Sequence, residues 1–89
     1  MYQNKQNKYG KYQCPCCGYY TFEEPIENHF DICDVCCWED DGVQLHDPDF
    51  WGGANSVSLN EARENFKKFG ASDERCIDSV RPPRFDEYE

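Results

Sequence analysis

The sequence predicts a small α+β fold: a pair of β-hairpin knuckles packed against one main C-terminal helix, with a short second helix after it. Three observations carry this. Two C-x₂-C turns stand 15 residues apart. An amphipathic run with both end signals follows at residues 58–70. The chain has 89 residues of which only 38% are hydrophobic, 16% aromatic and seven cysteine. A chain this short buries too little surface for a broad aliphatic core, so large rings and a crosslink must supply the difference.

In chain order, residues 1–10 (MYQNKQNKYG) read as a flexible polar N-terminal tail. Residues 11–83 read as one domain, and 84–89 as a frayed acidic C-terminal tail. Lys11–Gln13 and Tyr19–Phe22 flank the turn CPCCG as the first hairpin. His29–Ile32 enters a second turn, CDVC, rich in strand-favouring neighbours. Glu39–Asn55 is dense in Asp, Gly and Pro and reads as a loop, with a short strand at Val43–Leu45 and a β-turn at Asp47-Pro48-Asp49.

Ser58-Leu59-Asn60-Glu61 is a capping box that starts the main helix. Leu59, Ala62, Phe66 and Phe69 share its inner face, and Gly70 supplies the left-handed stop. Ser72 caps a shorter helix through Ile77, ending before Pro82-Pro83. Trp38, Phe50, Trp51, Phe66 and Phe69 are expected in the core, with the helix face covering the hairpins.

Cys14, Cys17, Cys33 and Cys36 form C-x₂-C…C-x₂-C with the spacing of a zinc ribbon. Two intervening residues let a tight turn aim both sulfurs at one point, and two such turns complete a tetrahedron. Pro15 presets φ at the first turn, and Gly18 accepts φ > 0 where the chain leaves it. The expectation is one structural Zn²⁺ on these four thiolates, with iron the lesser alternative because a 15-residue spacer suits a ribbon. Four sulfurs leave no position for a reactive water, so the metal is expected to be structural. Cys16 and Cys37 are spare within the knuckles, and Cys76 lies far along the chain; burial as small hydrophobes is expected of all three. Cys37 holds the place in its knuckle that Gly18 holds in the first.

The stretch from Gln13 to Pro83, about four-fifths of the chain, resembles the cysteine-rich CPCC family of small bacterial proteins. The resemblance rests on CPCCGYYTFEEP, ICDVCCWEDDGVQLHDPDFWGGAN and SLNEARENFKKFG. It implies zinc at the four outer cysteines and a compact α+β module, and it implies no reaction. Cys37 departs from the family's pattern, in which an apolar residue is expected there.

The formal charge is −9, with +3 on the arm carrying Lys5, Lys8 and Lys11 and −12 on the remainder. That balance argues against nucleic acid and for a protein partner, one with a basic surface. No 18-residue apolar run spans a membrane, and the start lacks an apolar h-region, so a reducing, cytoplasmic location is expected. Glu39, Asp40, Asp41, His46, Asp47 and Asp49 cluster in sequence. They are read as turn formers, with a small hydrolase as the alternative; a Cys16/Cys37 thiol redox pair is the other enzymatic reading. His29 is expected on a strand surface.

Overall fold

The computed structural model describes residues 4–89. Two short antiparallel strands, β1 (Tyr12–Gln13) and β2 (Tyr20–Phe22), form the first hairpin, with a register irregularity between Tyr12 and Gln13. Next come α1 (Gly42–His46), α2 (Leu59–Phe69) and two 3₁₀ helices at Glu74–Ser79 and Phe85–Glu87. The α+β class is therefore as expected, although the second hairpin is reduced to one bridge, Ile32 with Glu39. The cause lies just upstream. Asn28 and Phe30 are left-handed at φ 72° and 62°, which breaks the extended run expected at His29–Ile32.

α2 keeps both predicted ends. Ser58 Oγ accepts from the Glu61 amide at 3.0 Å, and Gly70 stops the helix at φ 82° while donating to the Phe66 carbonyl at 2.9 Å. Leu59 and Ala62 are buried from this helix into one cluster with Cys14, Cys16, Phe22, Ile26, Val35, Cys36 and Trp38. Arg63 Nε donates to the Pro15 carbonyl at 2.9 Å, clamping the helix onto the first knuckle. Leu59 and Ala62, with Phe66 packed beside them, thus cover the knuckles as expected, whereas the expected fourth member of that face, Phe69, is half-buried outside the cluster.

Three further expectations are corrected. Val43–Leu45 is helical, not a strand: Asp41 caps α1 by accepting from the Val43 amide at 2.9 Å. The second short helix is a 3₁₀ turn capped by Asp73, one residue after Ser72, because Ser72 is buried and its amide donates to the Cys36 carbonyl at 2.7 Å. Trp51 and Phe50 are exposed, by 73% and 40%, because the chain passes them on an outer loop before Gly52 and Gly53, both at positive φ. Their place in the core is taken by Tyr20, Phe22 and Ile26.

The ends also pack. The Gln13 amide donates to the Lys5 carbonyl, Gln6 bridges Tyr12, and Asn4 Oδ1 accepts from the Ile26 amide at 2.8 Å. So residues 4–10 run along the first hairpin rather than standing clear of it; residues 1–3 of the expected tail lie outside the described residues. At the other end Glu87 is buried and holds Arg81 through two contacts of 2.8 and 2.7 Å, while the Tyr88 ring meets Tyr19 edge-on. The acidic end is fastened, not frayed.

Candidate metal centre

Each knuckle is a tight reversal with the same hydrogen bonds. In the first, the Cys14 amide donates to the Tyr19 carbonyl at 2.8 Å and the Gly18 amide to the Cys14 carbonyl at 3.0 Å. In the second, Cys33 donates to Trp38 at 2.9 Å and Cys37 to Cys33 at 2.7 Å. Gly18 and Cys37 occupy matching left-handed positions, φ 84° and 75°. The strain that glycine avoids in one turn is accepted by an L-residue in the other.

These turns bring the Sγ atoms of Cys14, Cys17, Cys33 and Cys36 within 4.8 Å of one another. Cys14 and Cys36 are 3.7 Å apart, as are Cys17 and Cys33. A tetrahedron of sulfurs 2.3 Å from a central ion has an edge of about 3.8 Å. A disulfide needs about 2.05 Å, and all seven cysteines are free. The residues present fit a four-coordinate soft cation. Cys14, Cys33 and Cys36 are no more than 1% exposed; Cys17 stands at the half-buried edge.

Donors already surround the sulfurs. The Cys16 amide points at Cys14 Sγ and the Trp38 amide at Cys36 Sγ, both at 3.4 Å. The Thr21 hydroxyl donates to Cys33 Sγ at 3.0 Å. Hydrogen bonds from Cys14, Cys17 and Cys36, with that from Thr21, hold the Cys33 thiol far below its ordinary range. Burial pushes Cys14 well up, and hydrogen bonding with Cys14, Cys16 and Cys17 pushes Cys36 up. Four thiolates in so dry a place would need a cation to balance them.

The three remaining cysteines separate. Cys16 is 8% exposed and packs in the core. Cys37 is half-buried, and its thiol is pushed up to about 12 by burial and then by the neighbouring Cys76 thiol. Of the two cysteines in the alternative redox reading, Cys16 lies in the core cluster, whereas Cys37 lines a cleft with Cys76.

The acidic segment does not converge. Asp40 is 1% exposed, and its carboxylate accepts from the amides of Glu27, Asn28 and His29, each at 3.0 Å. Asp41 caps α1 and receives the Ala54 amide at 3.4 Å. A Cβ at Gly53 would stand 3.0 Å from the Asp41 carboxylate, which explains that glycine by close approach. Glu39 faces a different cavity, beside Cys37. His46 and Asp47 line an open groove of about 810 Å³ with Ile26, Glu27 and Val43, without Asp40 or Asp41. Asp47 and Asp49 sit in the expected turn, where the Phe50 amide donates to the Asp47 carbonyl. His29 Nε2 is 3.5 Å from the Glu27 carboxylate at the surface.

Sequence reasoning missed Thr21 and a buried network behind the second knuckle. Trp38 Nε1 donates to Gln44 Oε1 at 3.0 Å; Gln44 Nε2 donates to the carbonyls of Phe50 and Val57. Asn55 takes the Glu39 amide and returns its own NH₂ to the Glu39 carbonyl and Gln44. The available signal was the string from WEDDGVQ to GGAN, whose polar residues make this network.

Fold and cluster together define a small cysteine-rich α+β protein with four thiols positioned to hold one metal ion. Within that class, the chain belongs to the cysteine-rich CPCC family, whose sequence model matches residues 12–87. The match extends past residue 83, in keeping with the packed Glu87. No curated protein matches the chain.

Proposed function

We propose that this protein is a non-enzymatic interaction module whose fold is set by one zinc ion on Cys14, Cys17, Cys33 and Cys36. The carrying observation is the set of four sulfurs within 4.8 Å of one another, two of their separations being 3.7 Å. When bound, the ion supplies structural crosslinking, and four donors close its coordination. Zinc is favoured over iron by the ribbon-like spacing of 15 residues. Unpaired thiols throughout the chain suit a reducing compartment such as the cytoplasm, and among the described residues no helix is long and apolar enough to cross a membrane.

A protein partner is favoured over nucleic acid by the charge of −9 and by the use made of the basic arm. Lys11 is held by Asp86 and Glu23, at 3.5 and 3.7 Å. Trp51, Phe30 and Ile32, each more than half exposed, offer the apolar contacts that such an interface uses.

The test is elemental analysis of the purified full chain with two variants. One zinc per chain is expected. Cys14→Ser should lose both metal and cooperative folding, whereas Cys16→Ser should keep both. A metal-free chain that still unfolds cooperatively would refute the structural metal; a coloured protein containing iron would refute zinc. Capture of a basic protein partner should weaken steeply as salt rises.

A further inference from the structure

Outside the four-sulfur cluster, one pair of nucleophilic side chains shares a cavity. Cys37 and Cys76 both line a cleft of about 160 Å³, together with Ile32, Glu39, Ser56 and Arg75. Both thiols are free. Each is half-buried, so the pair is sheltered but open to a small reagent. The two backbones are pinned. The Cys37 amide donates a hydrogen bond to the Cys33 carbonyl, and the Cys76 amide donates one to the Asp73 carbonyl at 2.9 Å. The Ser72 amide on the Cys36 carbonyl at 2.7 Å ties one segment to the other.

We propose that Cys37 and Cys76 are a second, metal-independent thiol site that closes to a disulfide by exchange with a small disulfide of the oxidised glutathione class. Attack starts at Cys76, which lies on the outer 3₁₀ helix between two exposed residues, Arg75 and Ile77. Its sulfur displaces one thiolate from the reagent, giving a mixed disulfide at Cys76. Cys37 then attacks the Cys76 sulfur, its proton passing through water to the departing thiolate, which leaves as the second small thiol. Two protein thiols are oxidised and one reagent disulfide is reduced to two thiols, so atoms and electrons balance. Cys37 thereby has a use for the left-handed position that its glycine counterpart in the first knuckle cannot share.

The experiment treats the full chain with glutathione buffers of rising oxidised fraction, traps thiols by alkylation, and maps linked peptides by mass. Zinc is measured in the same samples. A Cys37–Cys76 linked peptide is expected, with zinc content unchanged. Cys37→Ser should stop at a glutathione adduct on Cys76, Cys76→Ser should lose the bridge, and Cys16→Ser should form it as the native chain does. Failure to find the linked peptide while glutathione adducts accumulate elsewhere would overturn the site, as would preferential oxidation of Cys14, Cys17, Cys33 or Cys36. A chain that lacks zinc yet forms the bridge keeps this inference and loses the metal reading. A zinc-loaded chain that never forms it does the reverse.

Discussion

Three successive amides, those of Glu27, Asn28 and His29, end on the carboxylate of Asp40. Hydrogen bonds to a charged acceptor contribute about 1.5–3 kcal/mol each, and the three form one unit whose loss is less than their sum. Asp40→Ala is therefore expected to destabilise the protein by about 3 kcal/mol or more, with Asp40→Asn between it and the native chain. Urea unfolding at fixed metal content measures this. An effect below about 1 kcal/mol would contradict the structural role assigned to Asp40. At this scale the sequence is legible only where partners are close along the chain. The cysteines of each knuckle are three apart, and Gly18 is next to one of them. Asp40 reads locally as a turn former, yet its partners lie 11–13 residues earlier. Thr21 reaches Cys33 across 12 residues, with no local pattern to announce it.

Among the elements, α2 was legible because its start, stop and buried face are all written within residues 58–70. The five-residue α1 was not. Its sequence, GVQLH, has no helical advantage, and tertiary bonds hold it. Gln44 is fully buried and joins Trp38, Asn55 and the carbonyls of Phe50 and Val57. Gln44→Leu fills similar volume but orphans these groups, so a loss of about 2–4 kcal/mol is expected in thermal or urea melts. The second 3₁₀ helix (Phe85–Glu87) depends likewise on Glu87, whose hydrogen bonds from Arg81 hold its carboxyl below the ordinary 4.5. A lowered folded value means that this stabilisation is complete above pH 4.5 and disappears as pH falls through the lowered value. Glu87→Gln should therefore be less stable than the native chain at pH 7, by about 2 kcal/mol, and the gap should close in acid below the ordinary carboxylate range. A gap that stays constant with pH would show that the ion pair does not carry it.

The whole molecule has a radius of gyration of 11.8 Å, close to the 12 Å or so expected for a compact chain of this length. It reaches that size with few aliphatic side chains, and much of its interior is polar: Asp40, Asp41, Gln44, Asn55 and Glu87 are buried. The proposed metal ion, contributing about 10–16 kcal/mol, would offset the cost of such an interior. Chelation should accordingly abolish the cooperative melt, and the emission of Trp38 should shift to the red as its indole loses Gln44 and becomes wet. Trp51 is already 73% exposed, so a Trp51→Phe variant isolates this signal. Retention of blue-shifted emission in the metal-free variant would count against the metal as the organiser of the core. A different property follows from Asn7, whose side chain donates to the carbonyls of both Asp86 and Tyr88, at 2.9 and 2.8 Å. Entry and exit of the chain lie side by side. A host protein opened at one surface turn can accept the unit as a graft without being pried apart, and a force applied at the two attachment points peels this local clasp before it loads the sulfur cluster.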